Sequence, residues 1–183
     1  MNSKKRVESF FKQLETERLL LKNISSDDSD FIFTLFSNED VNAFLFDAEP
    51  VATIQEADEI IADYTKSEPR SIHRWILVRK DDFAKLGTCG FHCWNKEIGE
   101  CDVGYDLYPD YWGKGYMSEA LAAILQFAEN EMKVSKVNAC IYSENKPSLK
   151  LAEKLGFSFV GQMKNEMFRG EEYPHMILTL RWE

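Results

Sequence analysis

The stretch YPDYWGKGYMSEAL, residues 108–121, decides how the rest of the chain is read. Before it, ECDVGYDLY (100–108) alternates apolar and polar residues as a half-buried strand does. After it, Met117, Ala120, Leu121, Ile124, Leu125, Ala128 and Met132 form one wide apolar stripe at helical spacing. Gly113 and Gly115 therefore sit where a strand hands over to a helix. The first N–H groups of a helix have no partner within it, and the helix dipole adds partial positive charge there. Glycine removes the Cβ that would hold an anion away. Such a junction suits phosphate, and Lys114 adds charge.

Two phosphate motifs fail here. A P-loop needs G-x-x-x-x-G-K-[ST], whereas Lys114 lies between the two glycines. A dinucleotide fingerprint needs G-x-G-x-x-G, and its last place is Ser118. What is left is a pyrophosphate cradle at a helix N-terminus, or a glycine turn with no ligand.

Working outward, KVNACIY (136–142) is a short strand. The span 105–142 thus reads strand–helix–strand, one parallel pair inside an otherwise antiparallel sheet. In ENKPSLKLAEKLGF (144–157), Pro147 fits a first helical turn and Gly156 the position past the end. Two strands, 157–168 and 173–182, form a hairpin around RGEE. Upstream, ERLLLKNI (17–24) is strand-like and SDDSDFIFTLFS (26–37) starts a helix. TIQEADEIIADY (53–64) opens with a Thr53/Glu56 capping box. HRWILVRK (73–80) and LGTCGFHCW (86–94) are two further strands. The predicted order is β-α-α-β-β-β-α-β-α-β-β. Val7, Phe10, Phe11 and Leu14 are spaced for an amphipathic helix over 1–15, ahead of one domain over 16–183.

Composition bounds the function. The chain has 183 residues, 44% hydrophobic, enough for one domain with a real core. No apolar run approaches a membrane span. MNSKKRVESFFKQ (1–13) lacks the apolar core of a signal peptide, so a cytoplasmic setting is expected. The net charge of −9 opposes nucleic-acid binding and favours a cationic partner. Cys89, Cys93, Cys101 and Cys140 are too few for a disulfide scaffold. CGFHC invites a zinc reading, but no second Cys/His cluster completes four ligands. No metal is expected, and Cys89, Phe91 and Cys93 should share one strand face.

YWGKGYMSEAL resembles motif A of the GNAT superfamily of acyl-CoA-dependent N-acetyltransferases. GECDVGYDLYPDYWGKGYMSEAL and SENKPSLKLAEKLGF together are similar to its ribosomal-protein alanine acetyltransferase (RimJ/RimL) branch, as is ETERLLLKNIS near the start. The likeness spans about residues 16–182. It implies a mixed α/β domain with a mostly antiparallel twisted sheet, one parallel splayed strand pair and flanking helices. It also implies acetyl-CoA as acyl donor, with its pyrophosphate held by Trp112, Gly113, Lys114, Gly115, Tyr116 and Met117. The superfamily pattern is Q/R-x-x-G-x-G/A. Trp112 is familiar in the first place; Met117 replaces a small residue in the last. A backbone N–H of the preceding strand, which includes Leu107, would polarise the thioester, and Asn145 would bond the pantetheine arm or else cap its helix.

Making an amide from a thioester and an amine needs a base, an aimed N–H donor and a proton for the leaving thiolate. Asp102 is the base candidate, standing where the branch often has a glutamate; Glu100, Asp106 and His92 are the alternatives. Alternation puts Asp102, Gly104 and Asp106 opposite Val103, Tyr105 and Leu107. Ser148 matches the branch's serine that serves the CoA sulfur, or it caps its helix. Trp94, Phe44, Phe46 and Tyr173 are candidates for the acceptor pocket, and Tyr142 for the pantetheine slot. His175 stands where the branch commonly has an aspartate. The leading acceptor is a protein or peptide N-terminal amine, with a small-molecule amine next. A non-catalytic acyl-CoA-binding module is the rival. The protein is expected as a monomer or homodimer.

Overall fold

Two apolar layers pack against a single sheet, one on either face. The computed structural model describes residues 10–182. In chain order the elements are β1 (Leu14–Glu15), β2 (Leu19–Asn23), α1 (Ser29–Phe36) after a 3-10 turn, α2 (Glu39–Asn42) and α3 (Ile54–Tyr64). Then come β3 (His73–Arg79), β4 (Lys85–Asn95), β5 (Glu100–Leu107), α4 (Tyr116–Asn130), β6 (Lys136–Tyr142), α5 (Lys146–Lys154), β7 (Ser158–Phe168) and β8 (Glu171–Arg181). The sheet runs β1-β2-β3-β4-β5-β6-β8-β7, and β5–β6 is its parallel pair.

The helix expected over 1–15 falls largely on residues outside those described. Its described part is a bend at Phe10 and Phe11 followed by β1. Phe11 is buried and stacks on His73, with ring centroids 4.1 Å apart. The short α2 was not foreseen. Polar capping rather than apolar spacing specifies it: the Asn38 side chain accepts from the N–H groups of Asp40 and Val41.

On one face, α4 and α5 cover Leu19, Leu21, Trp75, Leu77, Cys89, Phe91 and Val103. On the other, α1 and α3 cover Ile24, Ile76 and Val78. β3 lies in the middle, so both its faces are buried. Each fully buried Leu or Ile contributes about 1.5–3 kcal/mol through the water it sheds. The expectation that Cys89, Phe91 and Cys93 share a face is corrected. Cys89 and Phe91 are buried, but Cys93 is exposed, with a φ of 52°. The β4–β5 register shifts between His92 and Asn95, and such a bulge breaks the two-residue alternation. Among the described residues no helix is long and apolar enough to cross a membrane.

Candidate active site

The strand-to-helix junction forms as its glycines dictate. Gly113 and Gly115 have φ of 70° and 80°, a region L side chains avoid, and Gly115 is the N-cap of α4. A Cβ on Gly113 would meet nothing within 4 Å, so the backbone here faces open space. Around it, Trp112 Nε1 donates to the Leu107 carbonyl at 2.7 Å and Lys114 Nζ to the Asp110 carbonyl at 2.6 Å. Met117 is 6% exposed and packs into the α4 core layer, so its bulk points away from the junction. Arg18, unremarked in the sequence, braces the loop from outside. Its Nη1 donates to the Lys114 carbonyl at 3.0 Å, its Nε pairs with Glu119 at 2.6 Å, and its guanidinium lies over the Tyr116 ring. It is 96 positions from Lys114, so local spacing carries no trace of this contact.

β5 and β6 pair at Glu100–Lys136, Cys101–Val137 and Asp102–Asn138, and then diverge. Asp102 therefore stands at the fork. A cavity of about 670 Å³ opens beyond it and reaches both faces of the sheet. On the α5 side it touches Tyr105, Asn145 and Ser148; on the α1–α3 side it touches Asp102, Asp106, Arg74 and His92. Alternation along β5 explains the division.

The base candidates separate here. Glu100 is ion-paired with Lys136 at 2.8 Å and does not line the cavity. Asp106 is buried; its Oδ2 accepts from Arg74 Nη1 at 2.9 Å and from Thr88 Oγ1 at 3.4 Å. Burial pushes the Asp106 carboxyl up, while Arg74 opposes that. Burial, with the charge of Arg74, pushes His92 down to about 4, so it is neutral at pH 7 and a weak base. Asp102 is half-buried, lines the cavity, and among the described residues takes part in no ion pair; its Oδ1 accepts from Asn138 Nδ2 at 3.2 Å.

The two readings of Ser148 also separate. Asn145 is the N-cap of α5, and its Oδ1 accepts from the Ser148 N–H at 3.2 Å. The Ser148 hydroxyl instead meets the Tyr105 phenol at 2.7 Å. Burial pushes that phenol up, and the bond to Ser148 pulls it back.

The cavity is acidic and aromatic in its lining. Asp47, Glu49, Asp63, Asp102, Asp106 and Glu166 line it against Arg74 and Lys164, each of which is paired with a lining carboxylate. Residues 43–52 form a strap over the cavity. Phe46 stacks on Tyr173 with centroids 3.7 Å apart, and Glu49 pairs with Arg169 at 2.5 Å, tying the strap to the β7–β8 hairpin. Phe44, Phe46, Tyr142 and His175 line the cavity, while Tyr173 backs Phe46. Trp94 does not belong here: it lies in the α4 core layer, stacked on Phe10.

The acetyltransferase (GNAT) domain family matches residues 18–158. An uncharacterized N-acetyltransferase of Bacillus subtilis, YoaA, is 30% identical over 173 residues, covering 93% of this chain and 97% of that one. The crystal structure of a GNAT-family acetyltransferase from Bacillus anthracis superposes with a TM-score of 0.79 at 23% identity, over 93% of this chain and 98% of that one. A spermidine N-acetyltransferase from Vibrio cholerae, solved with CoA and spermine, has a TM-score of 0.80 at 17% identity, over 91% and 96%.

Proposed function

The chain belongs to the acetyltransferase (GNAT) domain family and is an N-acetyltransferase, and from that premise we propose that it moves acetyl from acetyl-CoA to a slender, cationic primary amine. The carrying observation is the fork. One opening beside Asp102 joins the acidic, aromatic side of the sheet to Tyr105, Asn145 and Ser148 on the α5 side.

Acetyl-CoA, when bound, supplies a thioester whose carbonyl carbon takes the amine and whose sulfur leaves as thiolate. The backbone N–H groups of residues 113–117, at the head of the 15-residue α4, suit its pyrophosphate. Past Asp102, β5 no longer pairs with β6, which frees backbone donors for a developing oxyanion. Asp102 takes a proton from the incoming ammonium, directly or through a water, because only the neutral amine attacks. Ser148 gives its hydroxyl proton to the sulfur. A serine hydroxyl is a poor acid, and the Tyr105 phenol, ordinarily near 10, stands behind it at 2.7 Å to resupply the proton.

The acidic, aromatic lining favours a positively charged acceptor, through charge and through cation–π contact. A flexible peptide N-terminus, the acceptor expected from the sequence, fits if it is basic. A small polyamine is the second reading, favoured by the strap that encloses the cavity. Four free cysteines suit the expected cytoplasmic setting. Thiol release from acetyl-CoA, measured across basic and acidic N-terminal peptides, spermidine and neutral monoamines, tests the proposal. Basic peptides or spermidine should outpace neutral and acidic amines at least tenfold. Equal rates would reject the cationic preference, and no turnover would reject the acceptor class.

A further inference from the structure

One transverse row of the sheet carries a polar side chain on every strand from β4 to β8. In register across adjacent strands lie His92 of β4, Asp102 of β5, Asn138 of β6 and Thr179 of β8. Thr179 is 4% exposed and sits in the run MILTLRW, where the adjacent Leu178 is buried. A buried hydroxyl there is unfavourable unless bonded. Its Oγ1 donates to Asn138 Oδ1 at 2.9 Å, and Asn138 Nδ2 donates to Asp102 Oδ1 at 3.2 Å.

The direction of this chain follows from chemistry. An ionised carboxylate only accepts, so the amide must turn its NH₂ toward Asp102 and its oxygen away. That oxygen then needs a donor on the far side, which a threonine has and an isosteric valine lacks. Asp102 is the last β5 residue paired with β6 before the strands part. On its β6 side, the Asn138 amide holds the Asp102 carboxylate by one oxygen. With Oδ1 fixed along the sheet, Oδ2 is left for a proton.

We propose that Asn138 and Thr179 are positioning residues: through the bond train Thr179–Asn138–Asp102 they fix the carboxylate that receives the amine proton. This rests on the acetyl-transfer reading above. A hydrogen bond that aims a base affects turnover more than donor binding, because it acts at the proton transfer.

Steady-state kinetics should be run with acetyl-CoA and the faster of spermidine or a basic N-terminal peptide. Thr179→Val should lower kcat roughly three- to tenfold with the acetyl-CoA KM unchanged, and Thr179→Ser should restore it within about twofold. Asn138→Leu should lower kcat about tenfold or more, yet change it by less than about twofold in an Asp102→Asn background, since the two act as a unit. A separate readout needs no activity: the side-chain amide signals of Asn138 in a ¹⁵N spectrum should move on Thr179→Val and on Asp102→Asn. Unmoved signals, full kcat in a folded Thr179→Val, or independent multiplication of the Asn138 and Asp102 effects would each overturn the proposal. Moved signals in a wild type that turns over no amine would reject the acetyl-transfer reading and the positioning role with it.

Discussion

The junction at the head of α4 and the cavity beyond the β5–β6 fork, the two halves of the proposed site, are made in different ways. The junction is contiguous: Trp112 to Met117 supply consecutive backbone groups, and two glycines at positive φ set their direction. The cavity is assembled from residues as far apart as Phe36 and His175, through strand register and the strap. The first is specified by local backbone chemistry, the second by which strands lie side by side. Substitutions should respect that division. Changes at the junction should act on donor binding, and changes at the fork on turnover.

The largest effect is expected at the fork. Asp102→Asn keeps the shape and the Asn138 contact on one side but cannot take a proton. Turnover should fall roughly 10²-fold while acetyl-CoA binds as before. Wild-type rates from pH 6 to 9 would place the base elsewhere, and Asp47, another cavity carboxylate, would be tested next.

Acid should act on the sheet beside the cavity rather than on the junction, whose backbone N–H groups do not titrate. Burial pushes His73 down to about 3 and His92 down to about 4. Arg70 donates to His73 Nδ1 at 2.9 Å, so His73 Nε2 carries the hydrogen and donates to Asn23 at 3.2 Å. Below about pH 6.5 the unfolded chain binds protons that the native one refuses, so stability falls as pH drops through that value and keeps falling to about pH 3–4. For His73 alone the loss from pH 7 to pH 5 is about 2 kcal/mol. Urea unfolding at the two pH values measures it; a flat result would mean that these imidazoles are not held neutral.

At the junction, Gly115→Pro forces φ near −65° where 80° is needed and deletes an N–H. Acetyl-CoA affinity should drop tenfold or more, roughly 1.4 kcal/mol. Calorimetry on a folded variant checks this, and unchanged affinity would move the phosphates elsewhere.

The smallest effects test the hydroxyl pair that lies between the halves. Ser148→Ala should lower turnover on the order of 10-fold with acetyl-CoA affinity little changed. Because Asn145 caps α5, the melting temperature should shift little. Tyr105→Phe should cost a smaller factor, about three- to fivefold, since Ser148 keeps its own proton. A destabilised Ser148→Ala with full turnover would return that serine to a purely structural role.

What was legible in the sequence is what depends on neighbours in the chain. Periodicity and end signals gave the strands and helices from β2 to β8 other than the short α2, the parallel pair, and the opposition of Asp102 to Tyr105 on β5, because side-chain direction follows the backbone repeat. The two glycines marked the junction because positive φ is a local steric property. Tertiary structure decided the rest. It put Trp94 in the core and Phe46 on Tyr173, because a bulge and a strap, neither with a periodic signature, aim those rings. It tied up Asp106 with Arg74 and Glu100 with Lys136, leaving Asp102 among the candidates without an ion pair at the fork. Arg18, Asn138 and Thr179 reach their partners across dozens of positions: strand register brings Asn138 and Thr179 to Asp102, and the packing of α4 against the start of β2 brings Arg18 to Lys114 and Glu119. An isolated polar residue in an apolar run reads as a tolerated exception until its partner is visible, because hydrogen bonds form between atoms close in space and leave no spacing in the chain.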